Sequence, residues 1–150
     1  MTHCCKMYST ANLAFVAGLM ALTPSLSIAQ APRCSILKGT YAVTFSGTVV
    51  QGANTTPVPF AGVGVSTFDG AGKTTSIQSA DFNGFIVRSQ AFSGTYTLKP
   101  DCTGTMITTY ANGVVGTQDF VVANGGKAIY AIGVDGLGQL LITYTRMQKS

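Results

Sequence analysis

The chain has 150 residues, 9 Lys+Arg against 5 Asp+Glu, a single His, a formal net charge of +4 and only 9% charged residues; every acid is Asp. Without Glu, and with so few Lys and Arg, the solvent-facing sides of amphipathic helices lack the residues that normally form them, which excludes a helical bundle. The length allows one domain, and abundant Gly, Thr, Val and Tyr point to an all-β chain of short strands and tight turns.

Residues 1–29 read as a secretory signal peptide. Lys6 lies in a short leader, an apolar run extends from Leu13 to Leu22, Pro24 interrupts it, and the small residues Ser27 and Ala29 precede the cut. Cleavage after Ala31 also fits the small-x-small rule, but it leaves Pro32 directly after the cut, so cleavage after Ala29 is preferred. An apolar run of about 10 residues is half the roughly 20 that a spanning helix needs, so no membrane insertion is expected once the peptide is removed. His3, Cys4 and Cys5 leave with it. The remaining chain has no His and no Trp, which removes His-based catalysis, a Ser–His–Asp triad, His metal sites and indole ligand cages. Cys34 and Cys102 remain, and in the secreted or periplasmic compartment that the leader implies they are expected to form one disulfide.

After an N-terminal segment over 30–38, a barrel domain is expected over 39–150. Eight predicted strands cover roughly 39–50, 58–68, 73–80, 85–98, 103–111, 114–123, 127–133 and 139–147. The connectors carry Asp69-Gly70, Asn83-Gly84, Pro100-Asp101, Asn112-Gly113, Asn124-Gly125 and Asp135-Gly136, residues that supply the backbone angles of tight hairpins. Consecutive strands therefore pair in order as an antiparallel up-and-down meander. Gly-Thr pairs at 39–40, 47–48, 94–95, 104–105 and 116–117 permit the coiling that closes a small barrel, and closure removes exposed edge strands.

Alternation places Tyr41, Val43 and Phe45, then Phe92, Tyr96 and Leu98, on one face. The same face is expected to receive Met106 and Tyr110, Phe120 and Val122, Tyr130 and Ile132, and Leu140, Ile142 and Tyr144. Core packing is the ordinary role of such a face, and Tyr hydroxyls are the groups on it that need a partner. In an eight-stranded meander Cys34 and the turn holding Cys102 fall at the same end, so Arg33–Lys38 must cross beneath the barrel to make the bond. That end is expected to be plugged. The opposite end, with the long connection 51–59, is the candidate mouth, near which Phe60, Phe85, Tyr110, Asn112, Asp135 and Leu137 should lie.

Asp69, Asp81, Asp101 and Asp135 sit in or beside turns, where carboxylates accept local backbone N–H groups. Asp119, Arg88 and Arg146 are charges that no turn explains, and Asp119 is expected outside, opposite in parity to Phe120. Each Asp-Gly-x-Gly turn holds one carboxylate, far short of a calcium cage, so no metal and no cofactor is expected. No Lys/Arg cluster or basic-aromatic stripe exists, so nucleic acid is not an expected partner.

The stretch Cys34-Ser35-Ile36-Leu37-Lys38-Gly39-Thr40-Tyr41, the later Gly94-Thr95-Tyr96 and the eight-strand meander resemble the calycin barrels, the lipocalin and avidin-type group. A Gly-x-Trp opens the first strand there, and Tyr41 stands at the Trp position here. The chain is also similar to small secreted bacterial barrels with Gly-Thr-Tyr, Phe-Asp-Gly-x-Gly and Asp-Cys-Thr-Gly, and more distantly to dirigent and allene-oxide-cyclase barrels. The aromatic-lined face and the asymmetric ends lead to the expectation of a barrel that binds a small, mostly apolar molecule without catalysis, with Tyr41, Phe60, Phe85, Tyr96, Tyr110, Tyr130 and Tyr144 as candidate ligand contacts. An avidin-like biotin pocket, lined by Trp, is not expected. Two other readings are an envelope interaction protein or inhibitor acting through its loops, and a barrel isomerase using Tyr, Asp and Arg. The oligomeric state is left open.

Overall fold

The computed structural model describes residues 34–50, 56–136 and 138–148. Residues 1–29, where a signal peptide is expected, Leu137 and most of the long connection after Val50 lie outside the described residues. The strands are β1 (Lys38–Val49), β2 (Val58–Asp69), β3 (Lys73–Phe82), β4 (Phe85–Leu98), β5 (Thr103–Thr109), β6 (Val115–Ala123), β7 (Ala128–Gly133) and β8 (Gly138–Arg146). They form a closed antiparallel barrel in sequence order, with β8 returning to β1 through pairs such as Val43 with Tyr144 and Phe45 with Ile142. This is the eight-stranded meander expected from turn chemistry.

The turns form as their residues dictate. Asp69 Oδ1 accepts from the N–H groups of Ala71 (2.7 Å) and Lys73 (2.9 Å), and Asp101 Oδ1 accepts from the N–H (3.0 Å) and hydroxyl (2.7 Å) of Thr103. These bonds to the charged form hold both carboxyls below the usual carboxylate range. Asp81 Oδ1 accepts from Gly84 N–H at 2.6 Å beside an Asn83-Gly84 turn with φ of 53° and 95°, the left-handed pair that a two-residue hairpin needs.

Two cross-strand pairs explain in-strand glycines. Phe45 pairs with Gly62 and Phe120 with Gly104, and each ring lies where the glycine's Cβ would otherwise stand. A large ring on one strand thus takes the space vacated on its neighbour, which fills the interior while letting the sheet coil.

The core sits at the end where the N-terminal segment enters. Phe68 makes edge-to-face contacts with Tyr41 (5.4 Å between ring centroids), Tyr96 (5.3 Å) and Tyr144 (5.8 Å), and Leu37 is buried beside them. The phenols are satisfied by backbone: Tyr41 donates to Gly126 O at 2.7 Å and Tyr96 to Leu37 O at 2.6 Å. Cys34 and Cys102 are bonded, and Cys34 N–H donates to Pro100 O at 3.2 Å. The segment Cys34–Leu37 therefore crosses and seals this end, here termed the closed end.

The predicted face needs one correction. Ile129 and Ala131 are buried, while Tyr130 and Ile132 face outward, Tyr130 being 46% exposed. Residues paired directly across an antiparallel ladder share a face, and inward-facing Val122 pairs with Ile129, whereas outward Val121 pairs with Tyr130. The run Ala128-Ile-Tyr-Ala-Ile is apolar at every position, so alternation within it cannot choose a face.

Candidate functional site: a cavity at the loop end

Above the closed-end core the barrel is not filled. A cavity of about 750 Å³ occupies its upper half and reaches the end formed by the connections β1–β2, β3–β4, β5–β6 and β7–β8. Ser76, Gln78 and Ala80 are inward positions of β3 and line the cavity with small or flexible side chains, while on the neighbouring β2 the Phe45 ring takes the space beside Gly62 and Gln78 that beside Gly64. The aromatic rings gather nearer the mouth: Phe60 stands between Phe45 (5.0 Å) and Phe82 (4.4 Å), and Phe92 meets Tyr110 at 5.1 Å.

A bulge in the β3–β4 ladder brings both ends of β4 to the same face. The register shifts between Gln78 and Ala80, Ser89 takes φ of 51°, and its N–H donates to Ser79 Oγ at 3.0 Å. Val87 pairs with Ala80 and Gln90 with Gln78, and both line the cavity. Without the extra residue the alternation from Phe92 upward would turn Val87 and Phe85 outward.

The deeper wall is polar. Ser76, Thr108, Gln118 and Tyr144 are buried and line the cavity. Tyr144 donates its hydroxyl to Gln118 Oε1 at 3.0 Å, and Ser66 and Ser76 hydroxyls share a hydrogen bond of 2.6 Å. Burial pushes the Tyr144 phenol far up, with the neighbouring Tyr110 adding to the shift. Burial, and then the Asp135 carboxylate, also raise Tyr110. Asp135 lies at the mouth, where its Oδ2 accepts from Thr117 N–H at 3.1 Å. Both phenols are therefore neutral at physiological pH and act only as hydrogen-bonding groups.

The candidate contacts separate by height. Phe60, Phe85, Tyr110 and Tyr144 line the cavity, as do Asn112 and Asp135. Phe85 forms part of the rim and is 69% exposed. Tyr41 and Tyr96 do not line it: they belong to the sealed core, with their hydroxyls committed to backbone carbonyls. Tyr130 is on the outer wall. The polar groups Ser76, Gln78, Thr108 and Gln118 are not among the candidate contacts, yet they occupy positions of inward parity, so strand alternation applied to polar as well as apolar residues locates them.

Arg88, Asp119 and Arg146 are all exposed. Asp119 accepts from the Thr105 hydroxyl at 2.8 Å on the outer surface, and Arg146 lies against Gly39 at the closed end. Among the described residues, no group of three or more His, Cys, Asp or Glu side chains is placed to hold a metal ion. Compared with known protein families, curated proteins and solved structures, the chain matches none.

Proposed function

We propose that this protein is a secreted or periplasmic barrel of calycin type that binds a small, mostly apolar molecule in its cavity. The observation that carries the reading is the cavity itself, about 750 Å³, with aromatic walls and a sealed floor. Ligand sites of roughly 300–1,000 Å³ with apolar walls and a few placed polar groups are the usual form of small-molecule pockets. Export is supported by the signal-peptide pattern of residues 1–29 and by the Cys34–Cys102 disulfide.

The alternative of an isomerase has little to work with. The charged groups that this reading relies on, Arg88, Asp119 and Arg146, are all solvent-exposed and none lines the cavity, where Asp135 at the mouth is the one charged side chain among the described lining residues. An interaction role has exposed apolar side chains in its favour, among them Phe85 and Ile86 at the tip of the β3–β4 hairpin and Val121, Tyr130, Ile132 and Leu141 on the outer wall. Phe85 also lines the cavity, so a mouth that admits an apolar ligand accounts for part of that exposure.

The test is a titration of the oxidised protein with the neutral, environment-sensitive dye N-phenyl-1-naphthylamine. Saturable binding is expected, and it should be lost in Ala80→Trp, which fills the cavity from the small-residue wall. Absence of saturable binding to the native protein rules the reading out, and unchanged binding by Ala80→Trp places the dye elsewhere.

A further inference from the structure

The charge and polarity of the cavity define the ligand more narrowly, on the reading that the cavity is a binding site. Asp135 at the mouth is the one charged side chain among its described lining residues. An entering carboxylate thus finds no cation and meets an anion at the rim. An ammonium group that passes Asp135 finds no carboxylate below it. An unpaired ion in such an environment is strongly disfavoured.

The deep wall is nevertheless not purely apolar, and two of its buried side chains, Gln118 and Thr108, have unused hydrogen-bonding capacity. Gln118, 7% exposed, makes one hydrogen bond, accepting at Oε1 from Tyr144; its Nε2 amide has no protein partner among the described residues. Thr108, 2% exposed, has a hydroxyl with no protein partner among them. Met106 pairs with Gln118 across β5–β6, and Thr108 lies two residues along β5 on the same inward face. The two polar groups therefore lie side by side on one wall. The Tyr144 hydroxyl, spent on Oε1, fixes the orientation of the amide and leaves Nε2 as the donor. Apolar rings near the mouth and neutral donors at depth suit a molecule with one polar end and an apolar body.

We propose that the cavity takes a neutral, single-headed apolar molecule, a ketone, aldehyde or alcohol, head first, with its oxygen accepting from Gln118 Nε2 and contacting the Thr108 hydroxyl. The site selects against the corresponding carboxylate. A ligand oxygen can take up the hydrogen bonds of these cavity-facing groups, whereas a carboxylate is desolvated without a counter-charge.

The experiment is displacement of bound N-phenyl-1-naphthylamine at pH 7.5 by 2-decanone, 1-decanol and decanoate. The ketone and the alcohol should displace the dye at concentrations at least about tenfold lower than decanoate. In Gln118→Leu, verified as folded by circular dichroism, 2-decanone should weaken about tenfold while dye binding persists. Decanoate competing as well as 2-decanone in the wild-type protein overturns the proposal whatever the variant does. So does an unchanged 2-decanone affinity in a folded Gln118→Leu. Both results leave the cavity as a binding site, whereas failure of the dye to bind the wild-type protein removes the site and this inference together.

Discussion

The Cys34–Cys102 bond should be a large single contribution to stability, made at the closed end, where Cys102 is buried in the core and Cys34 packs against it. It closes a loop with a sequence separation of 68, which contains β1 to β4, half of the barrel. In the chain-entropy treatment a loop of that length restricts the unfolded chain by about 4 kcal/mol. The double variant Cys34→Ser/Cys102→Ser should accordingly lose about 4 kcal/mol in urea unfolding followed by circular dichroism. For a domain of this size that corresponds to a fall in Tm of roughly 15 °C. The urea m-value should rise, because the unfolded ensemble expands once the tie is cut. The tie also holds the segment that seals the closed end, where Leu37 is buried and its carbonyl accepts from Tyr96 at 2.6 Å. Leu37→Ala in the disulfide-bonded protein should therefore cost a further 2 to 5 kcal/mol, roughly the cost of truncating a buried leucine. A loss below about 1 kcal/mol for the double Cys variant would refute the reasoning, since it would mean that the unfolded chain gains little freedom without the bond.

Two other outcomes follow from the interior. Thr74 Oγ1 is buried without a hydrogen-bond partner, so Thr74→Val, which replaces that hydroxyl by a methyl group of similar shape, should raise stability by about 1 kcal/mol; Ser76→Ala, which strands the Ser66 hydroxyl, should lower it by a similar amount in the same urea assay. Burial raises the phenol of Tyr144, so above the unfolded Tyr value of about 10 the unfolded chain sheds a proton that the folded one keeps, and stability falls as pH rises. The unfolding free energy, measured by urea unfolding from pH 8 to 11, should decline at the alkaline end by no more than about 1.4 kcal/mol per pH unit for this phenol, and Tyr144→Phe should reduce the slope.

The barrel is legible because its determinants are local. Turn residues such as Asn83-Gly84 specify hairpins, consecutive hairpins specify the strand order, and the even number of strands between Cys34 and Cys102 places both at one end. Two features escape local reading. In β7 both faces are apolar, and the choice between Ile129 and Tyr130 for the interior is made by pairing with Val122, which depends on where the Asn124–Gly126 turn ends. In β4 the separation of Phe85 and Phe92 is odd, so strict alternation sends them to opposite faces. The bulge at Ser89 reunites them, and no residue type in Arg88-Ser89-Gln90 announces it.

The site is harder to read than the fold for a related reason. Filling a barrel and leaving it hollow use the same alternation; the difference lies in which inward positions are small. Tyr41 and Tyr144 have the same parity and the same residue type, yet Tyr41 is sealed in the core with its hydroxyl on Gly126 O, while Tyr144 stands at the boundary and points its hydroxyl to Gln118. What separates them is height in the barrel, set by the shear of the strands and by Leu37 entering from below. Ser76 and Ala80, small inward residues of β3, leave the space above Tyr144 open, whereas the glycines of β2 do not add to it, because Phe45 and Gln78 occupy the room beside Gly62 and Gly64.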